Sequence, residues 1–269
     1  MDLKFSVLLS LYHKENPIAL QQSLDSIIHQ TLPADEIVLV KDGPLTEELE
    51  NVLNLYSTKI INLKIISLPR NKGLGNALNE GLKHCSYKLV ARMDTDDIAK
   101  SERFEKQIKV FKNTTAIDVC SSWIEEFEET PENVITIKKL PEQHKEILQY
   151  AKHRCPINHP AVMYKRESVI KAGGYSGFPE DYCLWIKMLM NGAQFYNIQE
   201  SLLSFRFSQD VIKRRGGWSY AKADIKSQIF FYKIGFITTF TLIYNIVIRV
   251  IVRMIPNTFR TFTYKYILR

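Results

Sequence analysis

Leu89-Val90-Ala91-Arg92-Met93-Asp94-Thr95-Asp96-Asp97 reads as a short apolar strand that runs into three carboxylates within four residues. Carboxylates this close repel one another and lose hydration, so a strand end built this way needs a positive partner. A hard divalent cation with bound phosphates supplies one; Mg²⁺ and Mn²⁺ take few protein carboxylates and fill the remaining positions with water and phosphate oxygens. In an extended segment Asp94 and Asp96 point to one side and Asp97 to the other, where it is free to cap the next helix. The alternative is an acidic turn with no metal.

Outward from this stretch the chain alternates. Phe5–Leu11 is a nearly continuous apolar run, as expected of a strand buried on both faces. Helical spacing follows over 18–30, a strand over 37–40, a helix over 46–55, a strand over 63–68, a helix over 73–83 and the strand at 87–93. Strands alternating with helices predict right-handed βαβ units in an α/β fold: an open, mostly parallel sheet flanked by helices. Ligands of such sheets bind at the carboxyl ends of the strands. Tyr12, Asp42, Asn71 and Asp94 all fall at those ends. Further on, 101–111 reads as a charged helix, 117–124 as a strand, 125–130 as an acidic solvated loop, and 142–150 as a helix.

The individual signals differ in weight. Asp42-Gly43 is either a plain turn or an acceptor for a base N–H or ribose hydroxyl. Arg70-Asn71-Lys72-Gly73-Leu74-Gly75 resembles a nucleotide loop without being a dinucleotide fingerprint, because Leu78 stands where a third small residue is wanted. Arg92 either neutralises a phosphate or pairs with an aspartate. His159, between Asn158 and Pro160, either faces a substrate or is satisfied locally. Glu180 and Asp181 open a helix carrying Leu184, Trp185, Met188 and Leu189; they serve as N-terminal charges, or one is a general base.

The chain has 269 residues and a net charge of +7. Residues 213–269 hold eleven Lys and Arg against one acid, Asp224, a net of +10, which leaves −3 for residues 1–212. Cys85, Cys120, Cys155 and Cys183 are scattered without a Cys-x-x-Cys, which argues against zinc or a disulfide framework and suits a reducing cytosol. Met1-Asp2-Leu3-Lys4 leads straight into a strand, so no signal peptide is expected.

The apolar first strand with Ser10 and Tyr12, then Lys41-Asp42-Gly43, Arg70-Asn71-x-Gly73, Met93-Asp94-Thr95-Asp96-Asp97 and Glu180-Asp181 together resemble the family 2 inverting glycosyltransferases of the glycosyltransferase-A fold. The likeness runs from about residue 3 to 210 and is greatest to bacterial exopolysaccharide and O-antigen transferases, the amylovoran-biosynthesis type among them. It implies a nucleotide-diphosphate sugar donor, most often a UDP-sugar. Ser10, Tyr12 and Asp42 would match the base and ribose pocket, with Glu15, Asn71, Gly73, Arg92, Asp94 and Thr95 completing the donor set. Asp94 and Asp96 would match the holders of Mn²⁺ or Mg²⁺, and Asp181 the catalytic base. His159, Glu180 and Trp185 are acceptor-side candidates. The Gln-x-x-Arg-Trp block of processive members is absent. Arg214-Arg215-Gly216-Gly217-Trp218 stands in its region, which favours one sugar per event.

The expected organisation is a catalytic domain over 1–212, with a donor half to about 100 and an acceptor half after it, and a basic amphipathic segment over 213–269. Residues 234–248 are uncharged for fifteen positions, short of the ~20 that span a bilayer. Arg249 and Arg253 share a helical face, and Arg260, Lys265 and Arg269 follow. This reads as a peripheral element on an anionic membrane, at the cytoplasmic face of the inner membrane, suited to a lipid-linked saccharide acceptor. The alternatives are a helical hairpin packed on the domain or a homo-oligomer interface. No nucleic-acid module is found. Two rivals to the transferase reading are a sugar-nucleotide uridylyltransferase, whose glycine-rich lysine-bearing loop is missing, and a non-catalytic nucleotide-binding scaffold subunit of a polysaccharide assembly complex.

Overall fold

The computed structural model describes residues 3–207 and 216–255. Strands β1 (Phe5–Leu11), β2 (Glu36–Lys41), β3 (Leu63–Ser67) and β4 (Leu89–Arg92) alternate with helices α1 (Pro17–Ile28), α2 (Glu47–Lys59) and α3 (Leu74–His84). The four strands lie parallel in the order β3-β2-β1-β4. Their residues alternate between two cores: Leu8, Val38, Val40 and Val90 enter one, and Val7, Leu9, Ile37 and Leu39 the other. Burial on both faces is why these strands are almost wholly apolar. Helices α1 and α2, with α4 (Arg103–Asn113), cover one face.

The second half departs from a parallel sheet. Strand β8 (Met163–Lys165) pairs antiparallel with β4 and with β6 (Ile117–Phe127). Beside β6 run β9 (Gln194–Arg206), parallel, and β7 (Val134–Lys138), antiparallel; short β5 (Ile98–Ala99) closes the far edge on β9. The sheet is therefore mixed. The expected acidic loop at 125–130 is corrected: Glu125, Glu126 and Phe127 continue β6, with Glu126 and Phe127 buried. Glu125 accepts from Ser204 Oγ at 2.7 Å and pairs with Lys100, so cross-strand partners offset the charge that made this segment look like a loop.

Helix α3, α5 (His144–Ala151), α6 (Arg166–Lys171) and α7 (Glu180–Met190) cover the other face. The C-terminal segment forms a hairpin on that side: α8 (Gly217–Lys233) and α9 (Thr239–Met254). Phe231, Phe236 and Ile237 join the same core as Trp185 and Phe195, and the Tyr182 and Phe231 rings stand edge to face at 4.8 Å. Arg249 and Arg253 do not present a basic outer face, which corrects that expectation. Both turn inward: Arg253 Nε donates to Asp224 Oδ2 at 2.7 Å and Arg249 Nη1 approaches Asp224 Oδ1 at 3.5 Å. The carboxylate on α8 draws them in because burying it unpaired is costly. What α9 turns outward is apolar, with Ile243, Val247, Ile251 and Met254 all exposed. No helix among the described residues is long and apolar enough to cross a membrane. Lys213, Arg214 and Arg215, and Arg260, Lys265 and Arg269, lie outside the described residues.

Candidate active site

Because β3, β2, β1 and β4 are adjacent and parallel, Asn71, Asp42, Tyr12 and Asp94 share one rim, as the strand ends predicted. Asp42 is buried. Its Oδ1 accepts from Lys72 N at 2.7 Å and its Oδ2 from Gly73 N at 3.0 Å. It thus moulds the 70–73 loop over β2. Gly43, at φ +90°, allows the same closure: a Cβ there would lie 2.6 Å from Asn71 N. A Cβ on Gly73 would meet nothing within 4 Å, so the space above the loop is open, with Asn71 exposed beside it. Thr95 is buried and its Oγ1 donates to Ser10 O at 3.4 Å, tying the acidic segment to β1. Tyr12 and Glu15 lie half-buried on the turn after β1.

The segment from Asp94 to Asp97 is a tight turn, not extended strand. The expectation that Asp97 faces away is therefore overturned. Period two fails in a turn, and carboxylate oxygens of Asp94, Asp96 and Asp97 lie within 4.8 Å of one another. Asp97 caps no helix; its Oδ1 accepts from Arg206 N at 2.9 Å, while its buried Oδ2 has no partner among the described residues. Arg206 Nε also donates to Asp96 O at 3.0 Å. Arg92, buried, forks onto Asp94 through Nη1 (2.7 Å) and Nη2, so the ion-pair alternative for Arg92 is realised. Arg103 Nη2 donates to Arg92 O at 2.6 Å, and Ser23 Oγ to Asp94 O at 3.0 Å.

The electrostatics follow. Burial works to lower the Arg92 pKa, and Asp94, with Tyr175 and Asp97, raises it again so that the net shift is upward. Burial and Asp94 push Asp96 up to about 6, and burial with Asp96 and Asp94 holds Asp97 well above the carboxylate range. Hard oxygen donors, an orphaned buried oxygen and mutual repulsion together fit a divalent cation. A pH prediction results. The folded pKa of Asp96 is raised, so without metal its ionisation opposes folding, and stability falls as pH rises from about 4 through about 6. For Asp96 alone the loss is about 3 kcal/mol. Thermal unfolding in EDTA across pH 4–7.5 should show the decline, and Mn²⁺ at pH 7.5 should restore stability. A flat profile with no Mn²⁺ effect would remove the case for a cation here.

Across the rim, Arg92, Asp94, His159, Glu180 and Asp181 line one cavity of about 870 Å³. The N-terminus of α7 is held close to α3: a Cβ on Gly75 would lie 3.4 Å from Glu180 Cβ. Asp181 Oδ2 accepts from the Cys155 thiol at 3.8 Å. Burial, then Asp181 and Asp94, raise the Glu180 pKa. His159 is buried and meets Tyr175 OH at 3.1 Å; burial and Arg92 keep it neutral. Trp185 is 0% exposed, which corrects its placement among acceptor contacts. Its ring packs edge to face on His159 at 5.9 Å and on Phe195 at 6.3 Å, because the apolar periodicity of α7 turns it into the core. Arg206 and Arg103 were missed by sequence reasoning. The only signal for Arg206 was a basic residue ending a broken apolar run, and Arg103 looked like any charge on an amphipathic helix.

Comparison with known proteins adds to this geometry. The profile described as Glycosyl transferase family 2 matches residues 6–173. Over 268 residues the chain is 42% identical to the UDP-Gal:alpha-D-GlcNAc-diphosphoundecaprenol beta-1,3-galactosyltransferase of Escherichia coli, covering 99% of this chain and 97% of the relative. It is 41% identical to the amylovoran biosynthesis glycosyltransferase AmsE of Erwinia amylovora, over 82% of this chain and 83% of the relative. Among solved structures, the mannosyltransferase PcManGT from Pyrobaculum calidifontis in complex with GDP-Man and Mn²⁺ aligns with a TM-score of 0.67 at 15% identity, over 92% of this chain and 69% of that one. At that identity the likeness concerns the fold, a glycosyltransferase-A-like α/β sheet. The chain belongs to glycosyl transferase family 2 and is a glycosyltransferase.

Proposed function

We propose that this enzyme moves a single sugar, with inversion, from a UDP-sugar to a lipid-linked saccharide in the synthesis of a bacterial surface polysaccharide. UDP-galactose is the first donor to test, on the name of the Escherichia coli relative. The observation that carries the reading is the shared cavity, which joins Asp94, the member of the acid cluster at the end of β4 that lines it, to Asp181 at the start of α7. The acceptor hydroxyl oxygen bonds to the sugar's C1 from the face opposite the nucleotide. The C1–O bond to the diphosphate breaks, and the hydroxyl proton passes to the Asp181 carboxylate. Asp94, Asp96 and Asp97 would hold a divalent cation, Mn²⁺ or Mg²⁺, which would supply positive charge against the departing diphosphate. Arg92 fixes Asp94, Asp42 shapes the loop that carries Asn71 and Gly73, and Ser10, Tyr12 and Glu15 border the base pocket. His159 and Glu180 face the acceptor side.

Residues 1–212 form the catalytic domain and 213–269 a membrane-surface extension, peripheral to the cytoplasmic face of the inner membrane. Supporting this are the apolar outer row of α9 and the exposed Lys222, Lys226 and Lys233 of α8, which suit acyl chains and anionic headgroups respectively.

Calorimetric titration of UDP-sugars with and without Mn²⁺ tests the donor half. Binding that requires the metal is expected, and Asp96→Ala should weaken it by more than the ~10–100-fold typical of losing an outer-shell partner. Absence of any nucleotide-sugar binding by the folded protein would move the assignment to a scaffold subunit.

A further inference from the structure

The cavity that holds Asp94 and Asp181 does not end within the catalytic sheet. Its outer wall is α9, through Phe240, Tyr244 and Ile248, which recur every fourth residue and so stack along one face. Phe240 is 81% exposed. The neighbouring row, Ile243, Val247 and Ile251, is exposed as well, so cavity wall and outer surface are one continuous apolar strip. A strip of this kind with a polar rim marks a ligand or membrane contact.

The rim has a sign. Arg154 is exposed at the cavity wall, and among the described residues no ion pair or side-chain hydrogen bond engages its guanidinium. The backbone leading to it is latched to α9. Asn245 Nδ2 donates to Lys152 O at 2.8 Å, the His153 ring meets Asn245 Oδ1 at 3.0 Å, and Arg249 Nη2 donates to His153 O at 2.8 Å. Arg249 and Arg253, which also line the cavity, both meet the carboxylate of Asp224. Of the acids that line the cavity, Asp94 is paired with Arg92 and Asp224 with Arg249 and Arg253, while Glu180 and Asp181 stand at the head of α7. Distance supplies the last element. Arg154 directly precedes Cys155, whose Sγ is 3.8 Å from Asp181 Oδ2, and all three residues line the same cavity.

We propose that this wall is the acceptor's lipid-diphosphate subsite: the diphosphate sits against Arg154, the isoprenoid-type chain lies along Phe240, Tyr244 and Ile248 and leaves over the outer face of α9, and the attached sugar faces Asp181. The inference rests on the transferase reading above and extends it to the residues that select the acceptor. Arg154 and Phe240 are specificity residues; neither touches the reacting atoms.

The test is calorimetry of the full chain with farnesyl diphosphate below its aggregation concentration, in EDTA so that the acid cluster cannot take the diphosphate through a cation. Farnesol and inorganic diphosphate are the controls. Farnesyl diphosphate should bind at least tenfold more tightly than either. Arg154→Ala should weaken it at least tenfold, Arg154→Lys should recover part of the loss, and Phe240→Ser should weaken farnesyl diphosphate without changing inorganic diphosphate. Both side chains are exposed, so the variants should fold, and Mn²⁺-dependent UDP binding by each checks that they do. If farnesol binds as well as its diphosphate, or Arg154→Ala stays within twofold of wild type, the subsite is wrong. Failure of the transferase reading would instead appear as loss of metal-dependent nucleotide-sugar binding in the wild type.

Discussion

Asp181→Asn should lower sugar transfer by about 10²–10⁴-fold, the usual contribution of a positioned general base, while metal-dependent donor binding stays within about twofold. The change is isosteric and keeps an oxygen for the Cys155 thiol, 3.8 Å away, so the start of α7 should keep its shape. What is lost is the site that takes the acceptor proton. Glu180, its neighbour at the head of α7, tests the assignment. Burial raises its pKa, and its stem packs beside Gly75 at the head of α3, whereas Asp181 meets the Cys155 thiol. Glu180→Gln should therefore cost much less than Asp181→Asn. Radiolabelled sugar transfer, measured with donor titration on the same preparations, separates the two effects. Near-normal turnover by Asp181→Asn would show that the proton goes elsewhere.

Asp224→Ala should destabilise the folded protein by about 3–5 kcal/mol, the cost of removing one member of a buried ion pair. For a chain of this size that lowers Tm by roughly 10 °C. Asp224 is fully buried, and the Arg253 side chain beside it is 11% exposed. Without the carboxylate, two guanidiniums stay against the rings of Tyr220 and Tyr182, at 4.4 and 5.7 Å, with little water to solvate them. Adding Arg253→Met to Asp224→Leu should recover most of the loss, because an apolar replacement removes the desolvation problem together with the pair. Denaturant unfolding of the single and double variants measures both. A single-variant cost below 1 kcal/mol would mean that the hairpin is not held by this contact.

The donor half was legible because its strands are short, all but the edge strand β3 are buried on both faces, and well-marked helices separate them. Thr46 caps α2, accepting from Leu49 N at 3.4 Å, and Asn16 caps α1 through Ile18 N and Ala19 N. The acceptor half was harder to read. Strand β9 carries Asn197, Gln199, Glu200 and Ser201 in its middle, and no local pattern distinguishes that run from a loop. Its polar groups are satisfied by residues far along the chain: Asn197 Nδ2, for instance, donates to Pro141 O at 2.8 Å. Trp185 was misassigned because spacing identifies a helix face without identifying what lies opposite it.

By itself the sequence determined the α/β alternation, the convergence of Tyr12, Asp42, Asn71 and Asp94 on one rim, the acidic segment and the family resemblance. Each rests on nearest-neighbour chemistry or on a fixed period, which local residues dictate. Only the tertiary structure decided that Asp97 joins Asp94 and Asp96, that Arg92 forks onto Asp94, that Arg206 arrives from β9, and that Arg249 and Arg253 fold inward onto Asp224 while α9 shows its apolar side. These outcomes depend on how buried charges find partners across long sequence separations. The cost of leaving a charge unpaired is settled by the whole packed interior, not by any stretch of the chain.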